Sequence, residues 1–337
     1  MIDVSVVVVN YHSDERSLAA FASVRAETLS HRYELILVDN DEDGAGGQRI
    51  ARAAPDVRVV RPGGNPGFGA GCNAGMAVAT GRWILLLNPD ALIQDRALDR
   101  CLDYLEGLDP RVAVLGCEHR AEDGSFQPSS YPEILWPSLG TTLANNALLR
   151  GPARLLRPQL FLAKTAEWQR ELHRRTHETD AVQGSFMLVR RDRVEETAGF
   201  DPDFFLYFEE LDWCRRVRER GLRIVHFAGA RVVHATRRRH DDPAIERQAY
   251  LSEALFVLKR QGRLACALHV LFRHLNVALA YVGYPLLPPE DRARLRSHAS
   301  LLGFGRREWL RPILFYGRRL RSNSRPLRAG GPLTERA

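Results

Sequence analysis

The run Val4 to Val9 is β-branched at every position except Ser5, and Asn10 closes it. So apolar a stretch suits a central parallel strand covered on both faces, not a half-exposed hairpin strand. The pattern then repeats. A helix is predicted over Arg16 to Thr28, followed by a strand Glu34 to Val38 that ends at Asp39-Asn40. A second helix over Ala45 to Ala53 leads to the strand Val57 to Val60. The glycine-rich stretch Gly63-Gly64-Asn65-Pro66-Gly67-Phe68-Gly69-Ala70-Gly71 opens a helix reaching Thr80, and the strand Trp83 to Leu87 ends at Asn88-Pro89-Asp90. This βαβαβαβ order predicts an α/β fold: a doubly wound, mostly parallel sheet flanked by helices, binding ligands at the carboxyl ends of its strands. Asn10, Asp39, Asn40, Asn88 and Asp90 all fall at such ends.

The rest of the chain reads differently. Pro128, Pro132, Pro137, Pro152 and Pro158 punctuate residues 118 to 178, so a loop-rich excursion that shapes a second binding surface is expected there. Regular structure resumes with a strand over Ala181 to Val189. The segment Phe204 to Asp212 opens a helix ending at Gly221, and a strand Arg223 to Phe227 and an extended stretch Ala230 to His234 follow. Beyond about residue 243 the pattern is helical. A chain of 337 residues, 45% hydrophobic, accommodates one large α/β domain with an appendage, or two domains. Its five cysteines are scattered, odd in number and never spaced C-x-x-C, which argues for core residues in a reducing, cytoplasmic setting. The N-terminus enters the first apolar run with no basic leader, so no signal peptide is expected.

Three constellations carry candidate chemistry. Asp90 ends an apolar run, where a carboxylate is either simply solvated or directed at a ligand such as a divalent cation on a diphosphate. Gly69-x-Gly71-x-x-Ala74 followed by Asp90 also fits a dinucleotide-binding fingerprint. Two strand–helix units precede that match, however, and it leaves Asp39, Glu209-Glu210 and His234 without a role. Second, Glu209-Glu210-x-Asp212 lies beside Phe205, Tyr207 and Phe208. Adjacent, partly desolvated carboxylates suit a general base; an acidic first turn favoured by the helix dipole is the structural alternative. Third, His234 could join a carboxylate in holding a metal, although a lone histidine is more often an ordinary one.

Taken in order, these residues carry a resemblance. The matching pieces are Val6-Val7-Val8-Val9-Asn10-Tyr11, Val38-Asp39-Asn40, Asn65 to Asn73 and Leu87-Asn88-Pro89-Asp90. They continue with Gln183-Gly184-Ser185-Phe186-Met187, Gly199 to Glu210, and Ala230-Arg231-Val232-Val233-His234. The chain resembles glycosyltransferase family 2 of the GT-A fold, and within it the bacterial rhamnosyltransferase-like branch. The resemblance implies a GT-A nucleotide-sugar-binding catalytic domain over residues 1–236 and a helical, basic C-terminal region over 237–337. It implies that Asp39 contacts the base, that the backbone after Val9 lines the nucleotide pocket with Asn10 and Asn40, and that Asn65, Gly67, Phe68, Gly69 and Asn73 cover ribose and phosphates. Asn88 and Asp90 stand where the family has Asp-x-Asp, with Asp90 and His234 as ligands of Mg²⁺ or Mn²⁺; Gly184 lines the donor site. Glu210 stands where the family has its catalytic Asp, with Glu209 and Asp212 beside it. Asn88, the Glu-Glu pair and Ala235 depart from the family pattern.

The expected reaction is inverting transfer from a nucleotide-sugar donor, dTDP-L-rhamnose before a UDP-hexose or UDP-galactofuranose. The expected acceptor is a glycan or a polyprenyl-diphosphate-linked sugar, in cell-envelope polysaccharide synthesis. A non-catalytic nucleotide-sugar-binding scaffold of the same fold is the alternative. The net charge of +7 gathers in arginine clusters at residues 237–239, 306–307 and 318–321. Leu264, Leu268, Leu271, Phe272, Leu275, Leu279 and Val282 recur at helical spacing with Arg263, His269, Arg273, His274 and Asn276 among them. That pattern suits an amphipathic helix at a membrane surface better than a spanning one. A helical subdomain packed on the catalytic domain, or a homodimer interface, is the alternative. Nucleic acid is not an expected partner. The expected location is cytoplasmic, with the inner face of the cell membrane as its refinement.

Overall fold

The computed structural model describes residues 2–146, 149, 155–156, 158–235 and 243–282. The three arginine clusters and the Leu286-Leu287-Pro288-Pro289 break lie outside the described residues.

Ten strands form one sheet. β1 (Val4–Asn10) is flanked in parallel by β2 (Tyr33–Asp39) and β4 (Trp83–Leu87), with β3 (Val57–Val60) parallel on the far side of β2. All of β1 and β4 is buried, as unbroken apolar runs require. Beyond β4 the sheet is mixed. β9 (Phe186–Arg190) runs antiparallel between β4 and β6 (Val112–Arg120), and β6 is parallel to β10 (Arg223–His234). β5 (Ala91–Ile93) closes the edge antiparallel to β10, giving the order β3-β2-β1-β4-β9-β6-β10-β5. Two short strands, β7 (Phe126–Gln127) and β8 (His177–Glu178), hang on β6 and β10.

Apolar layers cover both faces. On one, α1 (Asp14–Glu27), α2 (Ala45–Ala53) and α4 (Ala97–Glu106) bury Phe21, Ile50, Leu98 and Leu102. On the other, α3 (Phe68–Val78) and the Glu209–Glu219 helix bury Cys72, Met76, Trp213 and Val217. All five cysteines are free and buried.

Three features depart from the sequence reading. No element was expected between Asp90 and residue 118, where β5, α4 and most of β6 lie. The strand at 223–227 and the extended stretch at 230–234 are one strand, β10, whose register on β6 shifts between Phe227 and Arg231. That shift re-aims its last residues at β5, pairing His234 with Ala91. Finally, residues 243–282 are two helices that meet at Gly262, whose φ of +83° only glycine adopts readily. The second helix folds back on the first: Cys266 Sγ donates to Ala254 O at 3.3 Å, and Glu253 pairs with Arg273 at 3.2 Å. Leu255, Phe256 and Val257 of the first helix enter the same core as Trp213.

Candidate active site

Strand pairing brings together two residues far apart in the chain. Because His234 pairs with Ala91, its ring lies beside the preceding residue, with Nε2 3.4 Å from Asp90 Oδ1. The Ala235 N–H also donates to Asp90 O at 2.9 Å. Burial opposes charge on Asp90, but the hydrogen bond and charge of His234 outweigh it and hold the carboxyl below its ordinary range. It is therefore ionised near neutrality.

Gln127 orients the imidazole. Its Nε2 donates to His234 O at 2.9 Å, which turns its Oε1 toward His234 Nδ1 at 3.1 Å. The proton then belongs on Nδ1, and Nε2 is the atom that faces Asp90. Opposite a carboxylate, Nε2 calls for either a proton or a cation, so the pair makes a two-ligand seat of oxygen and nitrogen. Among the described residues no group of three or more His, Cys, Asp or Glu is set to hold a metal ion. Two protein ligands, with phosphate oxygens and water for the rest, match how Mg²⁺ and Mn²⁺ sit on nucleotide diphosphates. The donor set fits. Behind it, buried His119 meets the His234 ring edge-on, centroids 5.8 Å apart, and bonds Ser185 Oγ at 2.8 Å.

The glycine-rich loop is held from two sides. Asn65 Oδ1 accepts the Gly67 N–H at 3.0 Å, and Asn40 Nδ2 donates to Gly67 O at 3.2 Å. Gly67 has φ +97° and lies against the carbonyl of Phe205, which accepts the Phe68 N–H at 2.9 Å; a Cβ there would strike that carbonyl. Gly69 packs on Phe200 and Glu209. Asn73 grips the Phe200 backbone with both ends of its amide, at 2.8 and 2.9 Å. It therefore locks α3 to the loop at Phe200 through both ends of its amide.

Two of the other strand-end residues are also internally engaged. Asn10 donates to Asp14 and accepts from Ser17 in α1. The buried Asp39 accepts the Gly47 N–H at 2.9 Å and the Asp41 N–H at 3.2 Å, with Arg61 Nε 3.9 Å from its carboxylate. Asn88 anchors its strand end through its N–H to Ser185 O at 3.0 Å.

The acid cluster opens the Glu209–Glu219 helix. Tyr207 and Phe208 just before it have φ of +70° and +68°, a left-handed pair that costs roughly 1–3 kcal/mol per residue and persists only where packing enforces it. Lys259 of the first hairpin helix donates to Asp201 at 2.5 Å and Asp203 at 2.8 Å, and Ser252 Oγ donates to Leu206 O at 2.7 Å. Those contacts enforce it. The three acids then separate. Asp212 is buried and held by Arg215 at 3.2 Å and Arg216 at 2.8 Å, a structural pairing. Glu209 is 3% exposed behind Gly69. Glu210 is half-buried, and a Cβ on Gly184 would lie 3.9 Å from its own Cβ. Gly184 and Ser185 thus touch Glu210 on one side and the Asn88 strand end on the other. Sequence reasoning missed Gln127, Arg61 and Lys259, since a lone amide and two basic residues carry no motif.

A mixed sheet flanked by helices on both faces, with an acid at one strand end and acids at a helix start, is the architecture of the GT-A glycosyltransferases. Residues 3–250 match the family model described as "Glycosyltransferase like family 2", and the chain belongs to that family. It is similar to the N-acetylglucosaminyl-diphospho-decaprenol L-rhamnosyltransferase of Mycobacterium tuberculosis, 28% identical over 247 residues, which span 69% of this chain and 76% of that protein. It is also similar to rhamnosyltransferase WbbL of Escherichia coli, 23% identical over 254 residues, 73% of this chain and 88% of the relative. Among solved structures, a mannosyltransferase of Pyrobaculum calidifontis, in complex with GDP-Man and Mn²⁺, shares the fold at TM-score 0.50 and 16% identity, covering 88% of this chain and 86% of its own.

Proposed function

We propose that this chain transfers L-rhamnose from dTDP-L-rhamnose, with inversion, to a polyprenyl-diphosphate-linked sugar in cell-envelope polysaccharide synthesis. The observation that carries the reading is the placement of Glu210 and the Asp90–His234 pair on either side of Gly184-Ser185. The two rhamnosyltransferase relatives support the choice of sugar, and the name of the mycobacterial one supports the lipid-linked acceptor. A UDP-linked hexose or galactofuranose is the alternative donor; the name of a hexosyltransferase of Haloferax volcanii, 24% identical over 227 residues, supports a hexose without naming its nucleotide.

Asp90 and His234 would hold Mg²⁺ or Mn²⁺, which when bound neutralises charge on the departing diphosphate. The loop from Asn65 to Gly69 covers the phosphates and excludes water. Glu210 accepts the proton of the acceptor hydroxyl. The hydroxyl oxygen attacks the anomeric carbon as the bond to the diphosphate oxygen breaks, and the electron pair leaves with the dTDP. Glu209, buried against Gly69, ties the helix start that presents Glu210 to the glycine-rich loop. Glu210→Gln tests the reading. Turnover should fall about 10²–10⁴-fold while the donor still raises the melting temperature in Mn²⁺. Undiminished turnover would remove Glu210 from the role; no donor-induced shift in the unaltered protein would favour a scaffold that does not bind nucleotide sugars.

A further inference from the structure

The second hairpin helix, residues 263–282, turns a mixed face inward: Cys266 is fully buried in the core with Ala265 and Val270 packed against it, and polar side chains line the rest. His269, fully buried, bonds Thr142 Oγ1 at 2.6 Å and faces Glu253 at 3.7 Å; Arg273 pairs with Glu253; Asn276 accepts from Asn146 at 2.9 Å. The outward face is apolar: Leu264, Ala267, Leu268, Leu271, Leu275 and Ala278 fall within one stripe at helical spacing. Leu264 is 76% and Leu271 59% exposed. Single exposed leucines are ordinary, but a continuous apolar stripe that includes two strongly exposed leucines marks a contact surface. Exposed Leu149 and Leu162 flank the same region, since the Leu149 N–H donates to Asn146 O and Lys164 bonds Asn145.

Charge says what covers it. The helix contains no acid from Arg263 to Val282. The chain that continues from its end, residues 283–337, holds twelve arginines against four acidic residues, an excess larger than the +7 of the whole chain. Residues 1–282 are thus close to neutral, and the cationic charge follows directly on the leucine face. A second copy docked on this face would bring two such segments together, like against like. An anionic lipid surface satisfies both features, burying leucine and attracting arginine. Among the described residues no helix is long and apolar enough to cross a membrane.

We propose that the outward face of helix 263–282, with the arginine-rich chain after it, docks this protein onto anionic lipid. The geometry explains what docking does. The first hairpin helix is sandwiched between the second and the loop that presents Glu210, so two helix layers, roughly 20 Å, separate the lipid surface from that loop. The proposal goes beyond the transfer reaction and does not depend on which sugar is moved.

The test is co-sedimentation of the full chain with vesicles of phosphatidylcholine alone and of phosphatidylcholine with phosphatidylglycerol. Binding should require phosphatidylglycerol and weaken with salt. The double variant Leu264→Gln/Leu271→Gln should lower vesicle affinity about tenfold or more. The same protein should keep the donor-induced melting shift, which reports the transferase reading separately. Absence of binding to the anionic vesicles overturns the proposal. So does a double variant that binds as the unaltered chain does, because the arginine-rich segment would then suffice alone. A dimer that this variant dissociates, without lipid binding, assigns the face to a second copy and overturns it too.

Discussion

His234 Nε2 stands 3.4 Å from Asp90 Oδ1, with the opposite ring nitrogen tied to Gln127. The proposed cation seat rests on that relationship. Asp90→Asn removes the anionic half while keeping its shape. It should abolish the Mn²⁺-dependent part of the donor melting shift and lower turnover on the order of 10²–10³-fold, with the fold unchanged by circular dichroism.

Gln127 touches the seat only through His234. Gln127→Leu frees the imidazole to rotate and should weaken Mn²⁺ binding about 10–100-fold, read as the metal concentration for half-maximal turnover. Gln127→Glu, which can still accept from Nδ1, should recover part of the loss. Equal metal dependence in all three proteins would show that the ring is held by packing alone.

Lys259 acts on the opposite wall, through Asp201 and Asp203. Lys259→Met leaves those carboxylates facing an apolar stem and should relax the left-handed Tyr207–Phe208 pair. We expect kcat to fall about 10–100-fold with donor KM little changed, and Lys259→Arg to restore most of it. A rise in donor KM at constant kcat would mean that the loop serves binding instead.

Asp212 should behave as a structural acid. Asp212→Asn strands Arg215 and Arg216 and should cost about 2–3 kcal/mol, below the range for a fully buried pair because both guanidiniums are partly exposed. Denaturant midpoints check this. Residual turnover per folded molecule should stay within about twofold of the unaltered protein.

Stability should also depend on acid pH. Burial pushes His119 down to about 3, His226 to about 3 and His173 to about 4. His173 is held neutral by geometry as well: its Nε2 accepts from the Ser129 and Ser130 N–H groups at 3.0 and 2.9 Å. Each folded value lies below that of the unfolded chain, so the unfolded state takes up protons first. Their contribution is complete above about pH 6.5 and is lost as pH falls toward the folded values, at up to about 1.4 kcal/mol per pH unit for each group. Midpoints in urea should therefore drop between pH 7 and 4.5, and His173→Gln should flatten that slope.

The parallel half of the sheet was legible because buried strands write themselves as unbroken runs, and β1 to β4 fall where those runs do. β6 was not: buried Gly116, Glu118 and His119 interrupt its apolar pattern for reasons that only its neighbours reveal. Asp90, Glu210 and His234 stood out as residue types at strand and helix ends. Their grouping was legible only through the family resemblance, because in the fold the Asp90–His234 contact depends on three residues of β5 too short to carry any periodicity. The leucines of helix 263–282 were equally plain, yet which side faced the protein was not. A helix seeking burial and a helix offering a surface have the same spacing.

The pairing of β5 with β10 also sets when this protein can begin to work. His234 lies near the end of the last strand of the sheet, and Asp90 in its first third. Contacts between segments so distant in the chain close late, after local helices and adjacent strands have formed. A nascent chain can thus complete the parallel β1–β4 platform before Asp90 gains its neighbour His234. Any premature stop before β10 leaves Asp90 without His234 beside it, so the pairing of the two reports that the whole sheet is finished.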